Sequence, residues 1–227
     1  MVENNLIDYL TLIPARKNSK RIKRKNIVLI KGKELIKYTI EQAIGSNLRK
    51  NVIVSSDDER VIKISEKYKV KCFMRSKKLA VDNATTESVI KDILQKKFGK
   101  NYIKFVKNII LLQATSPLRK IKDIKDAIKF YEKGKFDSLF SAYLSKEFVW
   151  KNIKKPKSIS YDYKKRLRTQ NMEELIFENG AIFIFKAKGF KRYQNRLFGK
   201  IGVFLMKKHQ SIDIDVPEDI NYINKLI

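Results

Sequence analysis

The sequence predicts an α/β protein built on a mixed, mostly parallel sheet with helices on both faces. Short runs rich in Ile, Val, Leu and Phe alternate along the chain with stretches of helical period, the pattern of strands joined by crossover helices. At 227 residues and 43% hydrophobic content, the chain is sized for one domain with a core that needs no staples. Pro is scarce, with 4 in the chain, so no Pro-rich linker divides it and residues 1–227 read as a single domain.

The first strand is expected at Tyr9–Ile13 (YLTLI). A polar loop follows, then a helix over Glu34–Ser46, where Leu35, Ile36, Ile40, Ala43 and Ile44 share one face. Asn51–Ser56 (NVIVSS) reads as the second strand, and Asp57–Lys67 as a helix whose first-turn acids suit the macrodipole. Val70–Met74 is the third strand, and Thr85–Phe98 a helix opened by a hydroxyl cap. Asn108–Gln113 (NIILLQ) is an unbroken apolar run of the kind buried on both faces of a parallel sheet. A helix over Ile121–Lys133 and a strand over Ser138–Leu144 come next. Between Lys146 and Glu174 the chain carries Tyr, Lys and Pro without clean periodicity, which reads as an excursion from the sheet. Apolar runs return at Ala181–Phe185 and Val203–Met206, and an amphipathic helix closes the chain at Ile227.

The net charge of +27 raises nucleic acid, an anionic membrane or a small polyanion as partner. Lys is nevertheless spread over almost every segment beside plentiful Ile and Asn, as a biased coding sequence would leave it, so charge alone identifies nothing. The lone Cys72 excludes a disulfide within the chain, and one Cys with one His excludes a Cys/His zinc cluster. His209 reads as structural. The stretch MVENNLIDYLTLIPAR lacks a basic segment followed by a long apolar core, and no apolar run approaches the ~20 residues that span a bilayer. A soluble, cytoplasmic protein without membrane insertion is expected.

Ligands of open α/β sheets bind beyond the carboxyl ends of the strands, which directs attention to the residues just after each one. Ile13 to Asn26 reads IPARKNSKRIKRKN, with seven Lys or Arg in fourteen residues. It contains neither GxGxxG nor GxxxxGK, so dinucleotide-fold and P-loop readings fail on spacing. It does offer fixed positive charge and small polar residues whose backbone can approach phosphate oxygens. A solvated basic loop is the plain alternative. Asp213 and Asp215 form a D-x-D; in an extended segment both carboxylates face the same side and can meet one divalent cation. A turn leading into the helix behind Pro217 would account for the same residues. Together, a basic loop and an acidic pair on a parallel sheet favour metal-assisted phosphoryl or nucleotidyl chemistry.

The motifs coincide with a known family. LIPARKNSKRIKRKN resembles the signature loop I-P-A-R-x-x-S-K-x-x-x-x-K-N of the CMP-sugar synthetases, the acylneuraminate cytidylyltransferases. VSSDDERVIKISEKYKV, the R-x-x-x-L-A-x-D-x-A-T-T of Arg75 to Thr86, LLQATSPLR, ENGAIFIF and SIDIDVPED follow in the family's order. The resemblance implies a Rossmann-like nucleotidyltransferase fold with a small dimerisation lobe at about residues 145–177. It also implies transfer of CMP from CTP to the anomeric C2 hydroxyl of a nine-carbon 2-keto sugar acid, releasing pyrophosphate. Under it, Arg16 and Lys25 contact the triphosphate, with Ala15, Ser19 and Lys20 shaping that loop. Asn26, Arg75 and Thr86 hold the cytidine, Gln113 meets the sugar acid, and Asp213 and Asp215 bind Mg2+. Arg16, Lys25 and Asp215 are the implied catalytic residues. Lys151, Arg168 and Gln170 in the lobe are implied to reach the sugar or phosphates across a homodimer interface.

The chain departs from the family pattern in several places. KNS (Lys17, Asn18, Ser19) stands for the commoner GGS, Arg21 for a frequent Gly and Lys23 for a Pro. Lys17, Arg21, Lys23 and Arg24 fall on variable positions and are expected to share the background charge. Phe177 stands where sialic-acid activators often have Arg, whereas Gln113, in place of a YPTAP-like segment, favours a sialic or legionaminic substrate over pseudaminic acid. The rival within the same chemistry is activation of the eight-carbon 3-deoxy-manno-octulosonate. The rival of another class is a non-enzymatic nucleic-acid or polyanion binder, for which YDYKKRLR (Tyr161–Arg168) alone interleaves aromatic and basic residues.

Overall fold

The structure, a computed structural model, describes residues 6–227, so the reading of the first five residues lies outside it. In chain order the elements are β1 (Ile7–Pro14), β2 (Leu29–Ile30), β3 (Lys33–Glu34), α1 (Leu35–Ala43), β4 (Val52–Ser56), α2 (Glu59–Lys67), β5 (Lys71–Met74), α3 (Thr86–Phe98) and β6 (Val106–Leu112). They continue as α4 (Ile121–Gly134), β7 (Ser138–Ser145), β8 (Trp150–Lys151), β9 (Lys157–Ser158), β10 (Leu175–Lys186), α5 (Ala187–Tyr193), β11 (Ile201–Leu205) and α6 (Pro217–Leu226).

Seven strands form one sheet in the order β11-β7-β10-β6-β1-β4-β5. All neighbours are parallel except β10, which runs antiparallel between β6 and β7. Alternation along the central strands divides the core. Ile110 and Leu112 of β6, with Ile182 and Ile184 of β10, pack under α1, α2 and α4. Ile109 and Leu111, with Phe183 and Phe185, pack under α3 and α5. The predicted mixed sheet with helices on both faces is what forms. Among the described residues no helix is long and apolar enough to cross a membrane.

Four details differ from the sequence reading. The helix expected to Ser46 stops at Ala43 and loosens into a π turn over Ile44–Leu48, where Asn47 takes a left-handed conformation (φ 66°). The apolar run at Ala181–Phe185 is half of a twelve-residue strand, because its first half alternates exposed and half-buried residues and so lacks an apolar signature. Helix α5, seven residues long with a Gly in it, is too short to show a period. The excursion holds a small ribbon, β8 with β9, and an aromatic cluster of its own. There the Phe148 and Tyr161 rings meet edge-on at 4.8 Å, the Trp150 indole N–H donates to the Tyr161 hydroxyl at 2.9 Å, and the Arg166 guanidinium lies over Phe148.

Strand β10 carries a bulge that matters for the site. Its register against β7 shifts between Glu178 and Phe183, and buried polar side chains fill the gap. The Ser141 hydroxyl donates to Asn179 Oδ1 at 2.6 Å and accepts from the Ile182 amide at 2.8 Å; Asn179 Nδ2 donates to Ser211 Oγ at 2.8 Å. Gly180, at the turn of the bulge, has φ 70°, a conformation that disfavours any side chain. Ser141→Ala removes the hydroxyl that the buried Ile182 amide donates to, while Asn179 Oδ1 keeps the Ala181 amide, so a loss of about 1–3 kcal/mol is expected, read as a lower midpoint in urea with an unchanged slope.

Candidate functional site

The segments that follow β1, β5 and β6, together with the bulge of β10 and the approach to α6, surround one cleft of about 450 Å³. The basic loop is pinned rather than loose. The Ala15 amide donates to the Ser55 carbonyl at 2.9 Å and the Lys17 amide to Asp57 Oδ1 at 2.7 Å. Asn26 closes the loop on itself through Nδ2, which donates to the Arg16 carbonyl at 2.8 Å. Arg24 adopts a left-handed conformation (φ 52°) and grips the buried Asp58 carboxylate with both arms of its fork, at 2.8 and 3.1 Å. Burial works against ionisation of Asp58, but Arg24 and the Arg60 amide outweigh it and hold the carboxyl below its usual range. Ile22 turns inward and packs with Ile30, Leu35, Ile214 and Ile223.

Ile214 is the residue between the two acids, and it is fully buried. Its amide donates to the Thr115 carbonyl at 2.9 Å, and the side chain of Asp219, in the first turn of α6, accepts from the Asp215 and Val216 amides at 2.7 and 2.8 Å. With its middle residue anchored, the segment presents both carboxylates to the cleft. The Lys25 ammonium, largely buried, donates to the Ile214 carbonyl at 2.6 Å and to Asp215 Oδ1 at 3.0 Å. Burial raises the Asp213 carboxyl above its ordinary value, against the hydroxyls of Thr115 and Ser116 and the charge of Lys25. For Asp215 burial is outweighed by Lys25 and Arg21, and its carboxyl lies below the usual range. Among the described residues no group of three or more His, Cys, Asp or Glu gathers, so the donor set is these two carboxylates. That set fits magnesium, which takes one or two carboxylates and completes its shell with water and phosphate oxygens.

Gln113, Ala114 and Thr115 form another wall, and a buried guanidinium holds them. Arg119 is 1% exposed and donates to the Ala181 carbonyl at 2.6 Å, the Gln42 side chain at 2.9 Å, the Thr39 hydroxyl at 3.0 Å and the Gln113 carbonyl at 3.3 Å. Burial lowers its pKa to about 9, still protonated at neutral pH. Arg75 is likewise buried and cleft-lining; its guanidinium donates to the Ser55 carbonyl at 3.1 Å, and burial lowers its pKa. Thr86 opens α3, behind the Thr85 cap, and faces the same space.

Of the residues singled out in the sequence, Arg16, Ser19, Lys20, Lys25, Asn26, Arg75, Thr86, Gln113, Asp213 and Asp215 line this cleft. Ala15 does not: it is 1% exposed and belongs to the hydrophobic core under α1. Lys151, on the β8–β9 ribbon, and Arg168 and Gln170, at a 3-10 turn further along the excursion, are exposed and do not line it either. Two residues assigned to background charge are instead tied into the site, Arg21 by a 2.9 Å contact to Asp215 and Arg24 by its grip on Asp58. Asp82, Thr115 and Gly180 line the cleft without having been assigned there. All three lie within the family-like motifs, Asp82 in Arg75–Thr86, Thr115 in LLQATSPLR and Gly180 in ENGAIFIF, but only the fold shows that they face the cleft.

The chain was compared with known proteins. The sequence profile of the family described as cytidylyltransferase matches residues 10–227. An N-acylneuraminate cytidylyltransferase of Streptococcus agalactiae serotype III is 30% identical over 220 residues, covering 94% of this chain and 52% of that protein. The chain thus spans about half the length of the first curated relatives it matches. A pseudaminic acid cytidylyltransferase of Campylobacter jejuni is 29% identical over 218 residues, covering 94% of this chain and 93% of that one. In fold, the chain is similar to a CMP:2-keto-3-deoxy-manno-octonic acid synthetase solved with CTP, at TM-score 0.68 and 14% identity over 96% of this chain and 98% of that one. Basic loop, acidic pair and sheet thus coincide with a family profile that runs along almost the whole sequence, and the chain belongs to the cytidylyltransferase family.

Proposed function

We propose that this chain activates a nine-carbon 2-keto sugar acid with CTP, giving the CMP-sugar and pyrophosphate. The observation that carries this reading is the meeting of five cations, Arg16, Lys20, Arg21, Lys25 and Arg75, with the Asp213 and Asp215 carboxylates in one cleft. Such a site suits a triphosphate accompanied by a divalent cation. The anomeric hydroxyl oxygen bonds to the α-phosphorus and gives its proton to water while the bond from that phosphorus to the β-phosphate's bridging oxygen breaks, and pyrophosphate leaves with that electron pair. This chemistry asks the protein for alignment and charge neutralisation rather than a covalent intermediate.

Arg16 and Lys25 are the groups for the triphosphate, with Ser19 and Lys20 beside them. Lys25 is the better anchored, since the Ile214 carbonyl and Asp215 fix its ammonium at the level of the acidic pair. Arg75 and Thr86, on the wall towards α3, suit the cytidine, and Asn26 acts by holding the loop in shape. Gln113, on the opposite wall, suits the sugar acid. Asp213 and Asp215 would hold Mg2+, which when bound supplies charge neutralisation and orients the phosphates. Relatives named for N-acylneuraminate and for pseudaminic acid match at nearly equal identity, so the sugar's substituents are read here from Gln113, which favours a sialic or legionaminic acid.

The excursion supports a homodimer. Trp150, Ile153, Ile159, Tyr163 and Leu167 are all exposed there, Ile153 at 99%, a density of apolar surface that suits a partner subunit. Lys151, Arg168 and Gln170 on the same unit are then in reach of the partner's cleft rather than their own.

Two measurements test the reading. Pyrophosphate release from CTP and Mg2+ is expected with a neuraminic or legionaminic acid in a panel that also holds pseudaminic and octulosonic acids; silence across the panel rejects it. Asp215→Ala is expected to reduce turnover by more than the ~100-fold typical of losing an outer-shell partner, and full activity in both Asp213→Ala and Asp215→Ala would reject the metal assignment. Separately, the double substitution Ile153→Asp with Ile159→Asp is expected to convert a dimer to a monomer in sedimentation, with the far-ultraviolet circular dichroism unchanged.

A further inference from the structure

Each cation that the basic loop sends into the cleft is already paired. Arg16 and Lys20 both lie on the Asp82 carboxylate, at 2.8 and 3.5 Å. Arg21 and Lys25 both lie on Asp215, at 2.9 and 3.0 Å. Asp82 has no role in the assignment above and Arg21 counts there only as one of five cations, yet each holds half of this pairing. Their contacts are of the exchangeable kind, because the Arg21 and Asp215 side chains are 62% and 53% exposed and Asp82 is 42% exposed. Lys25 differs: its side chain is 13% exposed and its ammonium is also tied to a backbone carbonyl, so it stays with the acidic segment.

The pairing sets a barrier to each ligand alone. A triphosphate entering by itself must take Arg16 and Lys20 from Asp82 and then meets two more carboxylates. A divalent cation entering by itself must take Asp215 from Arg21 inside a cleft that already holds more cations than carboxylates. Entering together, each ligand satisfies the groups that the other displaces: the cation takes the carboxylate, and the released guanidinium turns to the phosphates.

Resting on the reading of the cleft as a CTP and metal site, we propose that Asp82 and Arg21 are exchangeable counter-ions that make the binding of CTP and of the divalent cation mutually dependent. Asp82 occupies the triphosphate's cations, and Arg21 occupies the metal's carboxylate, until both ligands are present. Linkage then requires that CTP tighten the metal by the same factor as the metal tightens CTP.

The test needs binding, not turnover. Mn2+ affinity is measured by electron paramagnetic resonance with and without CTP, and CTP affinity by calorimetry with and without Mn2+, allowing for the Mn2+–CTP complex that forms in solution. Wild-type protein is expected to show coupling of about 10-fold or more. Arg21→Gln is expected to bind Mn2+ alone about 3-fold more tightly, and Asp82→Asn to bind CTP alone about 3-fold more tightly, as loss of an exposed ion pair allows. In both variants the coupling factor falls. Wild-type protein that binds both ligands without coupling, or coupling kept in full by either variant, overturns this inference alone. Wild-type protein that binds neither ligand overturns the proposed function and this inference with it.

Discussion

The arrangement of charge in the cleft depends on an apolar contact. Ile22, from the basic loop, and Ile214, from between the two aspartates, are buried in the same small cluster with Ile30, Leu35 and Ile223. Two segments 190 residues apart, Lys25 near one and Asp215 in the other, are brought to hydrogen-bond distance by that packing. An exposed ion pair contributes at most about 1 kcal/mol, whereas full burial of an Ile contributes about 1.5–3 kcal/mol. The isoleucines therefore set the geometry, and the charges occupy positions that hydrophobic packing has fixed.

A second buried feature extends this order to the opposite wall. Arg119 lies at the meeting of α1, the segment after β6 and the bulge of β10, and its fork satisfies backbone carbonyls from Gln113 and Ala181 at once. A guanidinium is suited to this because its donors are rigidly spaced and its charge persists when it is buried. The Gln113–Thr115 wall and the acidic segment are linked as well, through the Thr115 carbonyl and the Ile214 amide. Both walls of the cleft are thus held by contacts within the chain.

Much of this was legible in the sequence, and what was not has a common physical origin. The strands and longer helices could be read because their burial is periodic: NIILLQ has to be a buried strand whatever surrounds it. The loop cations and the D-x-D could be read because phosphate and magnesium chemistry limits the residue types that serve. Arg21 and Arg24 could not be distinguished from Lys23, since in a chain with 51 Lys and Arg the informative property is which carboxylate lies opposite, and that is a tertiary fact. The first half of β10 was missed for a related reason. Its ladder partner is β7, and nothing in LIFENG announces a strand until that partner is in place.

Strand β10 has a mechanical consequence. Its residues Leu175 to Glu178 pair with the outer end of β7, where the aromatic excursion is rooted, while on the same strand Gly180 borders the cleft and the Ala181 carbonyl meets Arg119. At roughly 3.4 Å per residue, the root of the excursion at Leu175 and the wall of the cleft at Gly180 are about 17 Å apart along one continuous backbone. The half of β10 towards the excursion is paired with β7 alone, whereas the half beyond the bulge is paired with both β6 and β7. One backbone therefore joins the outlying unit to the cleft wall, and it changes register at the bulge that Gly180 turns.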